Sequence, residues 1–306
     1  MTSENVQTLN DTYGLPGVLY FDQDAHGLTR AQISLPACSA TVYLHGAHLT
    51  HWQPAGTTPV IFLSERSEFA EGRPIRGGIP LCFPWFGPRS DGAEGPTHGF
   101  ARLESWKVAL AALLPGKQQA LHLTLTLAPS AQSHSLGFAN FRVACEFIFS
   151  ETLTMRFSVV NLGLGPLRFE EALHTYFKVH DVRESVLHGL ESATYLDKTD
   201  GLKSKTMPAV PVALSHWTDS VFTGHTKTVT IEDPGHHRAM VVSKTNSHTT
   251  VVWNPWDVAS AKMGDFDPAA WPGFVCVESA NTGADAVTLA PNEAHTVELH
   301  VRVEGR

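Results

Sequence analysis

The chain has 306 residues, with 22 Lys+Arg against 30 Asp+Glu and a formal net charge of −8. The hydrophobic fraction of 42% supplies a sizeable core, and the acidic balance excludes the basic face of a nucleic-acid binder. It leaves room for a few arginines around a small anionic ligand.

Taken in chain order, the start, MTSENVQTLNDTYG, has no basic region leading into an apolar run and is not a secretory signal. His45, His48 and His51 form HxxHxxH. The flanking Thr41-Val-Tyr-Leu44 reads as a strand, which sends His48 to the face opposite His45 and His51, so no metal site is expected. Short helical turns are expected at 64–71 and after Asp267-Pro268, where Asp caps and Pro opens the turn. Residues 72–102, GRPIRGGIPLCFPWFGPRSDGAEGPTHGFAR, are too rich in Gly and Pro for regular strands and collect Arg73, Arg76, Arg89 and Arg102. A loop this long is either a solvated surface excursion or a functional segment. The apolar run Val108 to Leu114 is far short of the about twenty residues of a membrane span.

From there the period is two. Leu121 to Leu127 alternates Leu with His or Thr, and Phe141 to Phe149 places Phe141, Val143, Cys145, Phe147 and Phe149 on one face. Leu153 to Val159 and Val297 to Val303 repeat the pattern. Half-buried antiparallel strands read this way. Leu114-Pro-Gly116, Gly163-Leu-Gly-Pro166 and Asp233-Pro-Gly235 supply turns, and His236-His237 reads as solvated. The expectation is an all-β chain: one large antiparallel β-sandwich over 1–306 with few short helices. The scattered cysteines, Cys38, Cys82, Cys145 and Cys276, form no CxxC pair and fit reduced, buried thiols and a cytoplasmic location.

Three features break the strand pattern with chemistry. His174 lies inside the apolar Ala172-Leu-His-Thr-Tyr-Phe177, either as a structural histidine satisfied by backbone groups or as a proton carrier. Glu278 follows Gly273-Phe-Val-Cys-Val277 and is either a rim carboxylate or one held in a pocket with a raised pKa. Trp253-Asn-Pro-Trp256 is either core or the aromatic wall of a small-molecule site.

Arg76-Gly-Gly-Ile-Pro80, Phe83-Pro84 with Phe86-Gly87, His98-Gly-Phe-Ala-Arg102, Ala172-Leu-His-Thr-Tyr176, Trp253-Asn-Pro-Trp256 and Cys276-Val-Glu278 occur in that order. Together they resemble the glucose-6-phosphate 1-epimerase (hexose-6-phosphate mutarotase) branch of the aldose 1-epimerase superfamily. The resemblance implies a galactose-mutarotase-like sandwich. It implies His174 as general acid, Glu278 as general base, His98 as the second histidine of the site and Asp219 as a contact to sugar hydroxyls. Arg76 and Arg102 match arginines that hold the sugar phosphate. Thr97 stands where Gln is common, and Trp217 where a Glu is usual two residues before the Asp. The implied reaction is interconversion of the α and β anomers of glucose 6-phosphate, with Glu278 ionised and His174 protonated at the start, and with no metal or other cofactor. The expected partner is the small sugar phosphate alone, with no nucleic acid or membrane and with a monomeric chain. The competing readings are an aldose 1-epimerase for unphosphorylated hexoses and a non-catalytic carbohydrate-binding protein of the same fold.

Overall fold

A computed structural model describes residues 5–116 and 119–305. Two large antiparallel sheets dominate it. The first has nine strands, with Ala294–Gly305 at its centre and Leu153–Asn161, Phe141–Phe149, Ala120–Leu127 and Lys107–Leu114 stepping out to one edge. These are the segments with period-two sequences, and each of the inner ones buries alternate residues in full. The second sheet has eight strands and is built around Phe274–Asn281. A four-stranded meander, Leu19–Gln23, Thr29–Ser34, Cys38–Tyr43 and His48–Pro54, completes the layers. One continuous apolar cluster takes Leu123, Phe147 and Val301 from the first sheet, Phe222, Val252 and Val277 from the second, and Val42 and Trp52 from the meander. This is the expected β-sandwich.

Phe274–Asn281 is buried on both faces, and its register decides where the chemistry lies. Val275 and Val277 point into the main core, so the two-residue period turns Phe274, Cys276 and Glu278 to the other side. Cross-strand pairing carries that side outward: Glu278 opposes Val251, Cys276 opposes Trp253, and Trp253 opposes Asp219. Tyr176 pairs with Cys276 from the opposite flank.

The structure differs from the sequence expectations at several local points. Val6–Tyr13 is a helix capped by the Asn5 side chain, and two further short helices span Ala131–Ser135 and Trp256–Ser260. Residues 64–71 form turns rather than a helical turn. After Asp267-Pro268 comes a turn, and the 3-10 helix starts only at Trp271. His236 is not merely solvated: its Nδ1 lies 2.8 Å from the buried carboxylate of Asp233. The four cysteines are buried free thiols. Among the described residues, no helix is long and apolar enough to cross a membrane.

Candidate active site

The start of the Gly/Pro-rich loop is threaded against the meander strand His48–Pro54 by close backbone approaches. Gly78 has φ +69°, and a Cβ there would lie 2.3 Å from His48 Nε2 and 2.5 Å from the Leu49 carbonyl. Only glycine permits both the conformation and the approach. Arg76, two residues earlier, is fixed by its backbone N–H donating to Ser67 Oγ at 2.7 Å. Its guanidinium donates to Asp265 Oδ2 at 3.1 Å and to the Tyr176 hydroxyl at 3.2 Å. Burial opposes its charge, but Tyr176 and Asp265 outweigh burial and hold it firmly protonated.

His98 has φ +65°, an uncommon backbone state for a side chain of this size. It is locked by Gly99, where a Cβ would fall 2.0 Å from the Phe83 carbonyl, and by the His98 N–H bond to the Gly87 carbonyl at 2.7 Å. The Gly87 N–H donates to His98 Nδ1 at 3.1 Å. Nδ1 is therefore an acceptor, and Nε2 carries the ring proton. Burial, followed by Arg102 and His174, keeps His98 well below the usual histidine range, so it offers a neutral N–H donor.

His174 sits between the strands Glu171–Leu173 and Tyr176–Lys178, anchored by its N–H to the Pro80 carbonyl. Its ring stacks on Tyr176 at 4.9 Å and 11° and meets His98 and Trp253 edge-on. Nδ1 lies 3.3 Å from Glu278 Oε1. His174 Nδ1 and Glu278 Oε2 are both buried without a hydrogen-bond partner, so the 3.3 Å approach is a close contact rather than a formed hydrogen bond. Burial, then Arg102 and Arg76, pushes His174 well below its ordinary range. Burial, then Asp219, pushes Glu278 well above the carboxyl range. Both directions favour the uncharged form of each group in its buried setting.

Asp219 closes the opposite wall. Its Oδ2 is 3.3 Å from Lys198 Nζ, and burial raises its pKa against the opposing pull of that lysine. Arg76, His98, His174, Asp219, Glu278 and Lys198 thus line one pocket of about 130 Å³ with Phe86, Tyr176 and Trp253 as its aromatic surfaces. A larger cleft of about 540 Å³ beside His45, Glu71 and Glu104 holds no comparable acid–base pair, so chemistry rather than size identifies the site.

Arg102 departs from the sequence expectation. It is buried, is absent from the pocket wall, and donates through Nη2 to the Thr97 carbonyl at 2.7 Å. Its Nε is buried without a protein acceptor. Arg73 and Arg89 pair outside the pocket with Glu68 and Asp91. The histidine triplet is dispersed. His45 lies in the turn after Cys38–Tyr43 rather than in a continuous strand, and its Nε2 meets the Arg73 carbonyl. His48 donates to the Gly77 carbonyl, and His51 pairs with Ser39. Among the described residues, no group of three or more His, Cys, Asp or Glu is arranged to hold a metal ion. Sequence reasoning missed Lys198, which stands in the polar Asp197-Lys-Thr-Asp200 and carries no pattern of its own. It also missed the role of Tyr176 as the platform under His174.

Residues 30–302 match the family Aldose 1-epimerase. The chain belongs to that family. It is 31% identical over 274 residues to an Escherichia coli protein described as a candidate glucose-6-phosphate 1-epimerase, covering 89% of each chain. A protein of the same description from Cenchrus ciliaris is 32% identical over 263 residues, covering 84% of this chain and 78% of the relative. Among solved structures, a Salmonella typhimurium protein described as a candidate mutarotase superposes with a TM-score of 0.88 at 27% identity over 96% of each chain. The galactose 1-epimerase of Lactobacillus acidophilus shares the fold at a TM-score of 0.69 and 14% identity, covering 94% of this chain and 98% of the other. The sandwich is thus of the galactose-mutarotase type, and the chain is an isomerase of the epimerase class.

Proposed function

We propose that this aldose 1-epimerase family member exchanges the α and β anomers of glucose 6-phosphate, with His174 and Glu278 as its proton-transfer pair. The carrying observation is the 3.3 Å contact between His174 Nδ1 and Glu278 Oε1 in a pocket that also presents Arg76. Mutarotation opens the hemiacetal by taking a proton from the O1 hydroxyl and giving one to the ring oxygen. Rotation about C1–C2 then exposes the other face of the aldehyde, and closure returns both protons. The reaction needs one group to act as acid while the other acts as base, the roles assigned here to His174 and Glu278.

The working form has Glu278 as the carboxylate base and His174 as the imidazolium acid. Arg76 and Arg102 oppose the imidazolium. A bound phosphate dianion offsets those guanidinium charges and relieves the repulsion, so an anionic sugar favours the working form of the pair. His98 donates its Nε2–H to a substrate oxygen and stabilises the polarised state. Asp219 accepts from sugar hydroxyls. Arg76 is the phosphate contact in the pocket wall, and Arg102 supports it from behind with its unmatched Nε. Guanidinium groups suit phosphate because their planar fork pairs two oxygens at once. The test is an anomer-exchange assay on glucose 6-phosphate, glucose and galactose side by side, with inorganic phosphate as competitor. Faster exchange of the phosphorylated sugar and inhibition by phosphate are expected. Equal rates on the three sugars with no phosphate inhibition would instead favour the free-aldose reading.

A further inference from the structure

Lys198 is the cation of the pocket that the proton-transfer scheme leaves unused. It opens the 3-10 turn Lys198–Asp200, whose backbone is held by Asp197: that carboxylate accepts from the N–H and hydroxyl of Thr199 and from Lys205 Nζ. From this fixed base the side chain crosses the pocket. Its ammonium lies 3.3 Å from Asp219 Oδ2 and 5.3 Å from the centre of the Phe86 ring. Phe86 in turn packs edge-on against His98 at 4.8 Å. The lysine is therefore a strut from the outer strands of the second sheet to the Gly/Pro-rich loop, with its stem partly open to solvent.

The charges of the pocket are arranged in pairs. Arg76 is matched by Asp265 and Lys198 by Asp219, which leaves Glu278 with the His174 ring as its partner among the ion pairs of the described residues. Without Lys198, Asp219 and Glu278 are two carboxylates lining one pocket with no lysine or arginine among the described residues paired to either, before any phosphate enters. We propose that Lys198 is a positioning residue that neutralises Asp219 and so sets the pH range in which the His174–Glu278 pair holds its single working proton. This rests on the anomer-exchange reading of the site for its catalytic meaning, but its electrostatic content stands on the residues alone.

The groups facing Glu278 come from every element around it. Cys276 lies on its own strand, Asp219 two strands away in the same sheet, and His174 and Tyr176 on the opposite flank. The loop side contributes Cys82, Arg76 and His98, with Arg102 behind them beside Cys82. Lys198 is the one of these cations that meets Asp219 directly, among the ion pairs of the described residues. Like-charge relief by an adjacent cation moves a carboxyl by about one pH unit or more, and the two macroscopic steps of a coupled pair move together.

The test uses Lys198→Met, which keeps the stem over Phe86 and removes the charge, and Lys198→Arg, which restores it. The pH profile of kcat/KM is measured for glucose 6-phosphate and for glucose. In Lys198→Met both limbs are expected to move to higher pH by about one unit on both sugars, with Lys198→Arg close to wild type. In parallel, the carboxyl carbon of Glu278 is titrated by NMR in protein labelled at glutamate, assigned with Glu278→Gln. Its midpoint is expected to rise in Lys198→Met. Profiles and midpoint that overlie wild type, or a raised KM for the phosphorylated sugar alone, overturn the proposal. If wild type exchanges no sugar, the functional reading falls while the carboxyl titration still decides the role of Lys198. Lys198→Gln replaces Lys198→Met in both arms if the latter does not fold.

Discussion

At the scale of single residues, the proposed proton-transfer roles determine what substitutions are expected to do. Glu278→Gln and His174→Asn each remove one end of the exchange across 3.3 Å, and each is expected to slow anomer exchange by about 10²–10⁴-fold. Circular dichroism should show an unchanged β-sheet signal, and near wild-type turnover in a folded variant would remove that residue from the mechanism. Arg76 belongs to the same scale but acts differently. If it holds a phosphate remote from C1, Arg76→Ala raises KM for glucose 6-phosphate more than it lowers kcat. Charge-assisted contacts of this type contribute about 1.5–3 kcal/mol, so a ten- to hundredfold rise of about that size is expected, with exchange of free glucose little changed. Parallel loss on both sugars, with a lowered melting temperature, would make Arg76 a tie for the loop. That His174, Glu278 and Arg76 share one pocket follows from motifs that keep their order along the chain, whereas their roles stay with the proposal. Lys198 was not legible in the sequence, since a lysine between two aspartates reads as a solvated turn until folding sets its ammonium beside Asp219. Arg102 was misplaced for the converse reason: charge type is visible in a sequence, whereas its burial against the Thr97 carbonyl depends on the path of a loop.

At the scale of elements, the strands of the first sheet were readable because one face of each is buried and the other is not, which writes the period of two into the sequence. Phe274–Asn281 is buried on both faces and shows no alternation, so the face on which Glu278 lies became clear only from the separation of Val275 and Val277 from Cys276. Two of the three helices of the described residues escaped because Ala131–Ser135 and Trp256–Ser260 are five residues each, too short to display a 3.6-residue period. The loop 72–102 owes its path to contacts that a composition count does not reveal. Gly78→Ala tests this directly: the new Cβ would meet His48 Nε2 and the Leu49 carbonyl at less than 3 Å while holding φ +69°. A residue forced into such a backbone state costs about 1–3 kcal/mol before the clash is counted. Denaturant unfolding should show at least that loss, and exchange activity should fall with it because Arg76 is two residues away. A variant as stable as wild type would mean that the loop can shift without cost.

At the scale of the whole molecule, the buried histidines make stability depend on pH. His45, His48, His98 and His174 are all held below their ordinary range chiefly by burial, and His48, fully enclosed, is brought down to about 3. A group whose folded pKa is depressed binds more protons when the chain is unfolded. Its contribution is therefore complete above the unfolded value of about 6.5 and is lost as pH falls through the window down to the folded value. For His48 alone this window runs from about 6.5 to about 3, and lowering the pH from about 7 to about 5 removes about 2 kcal/mol of stability. Glu278 and Asp219 act in the opposite sense, because raised carboxyl pKa values favour the folded state at low pH and weaken it as pH rises through them. The contribution of His48 is isolated by comparing wild type with His48→Gln, whose amide retains a donor for the Gly77 carbonyl but does not titrate. Unfolding free energies measured in urea at the two pH values should differ less in the variant than in wild type, by about the 2 kcal/mol assigned to His48. Equal pH dependence in the two proteins would show that His48 does not stay neutral in the fold, and that acid sensitivity arises from the other buried histidines.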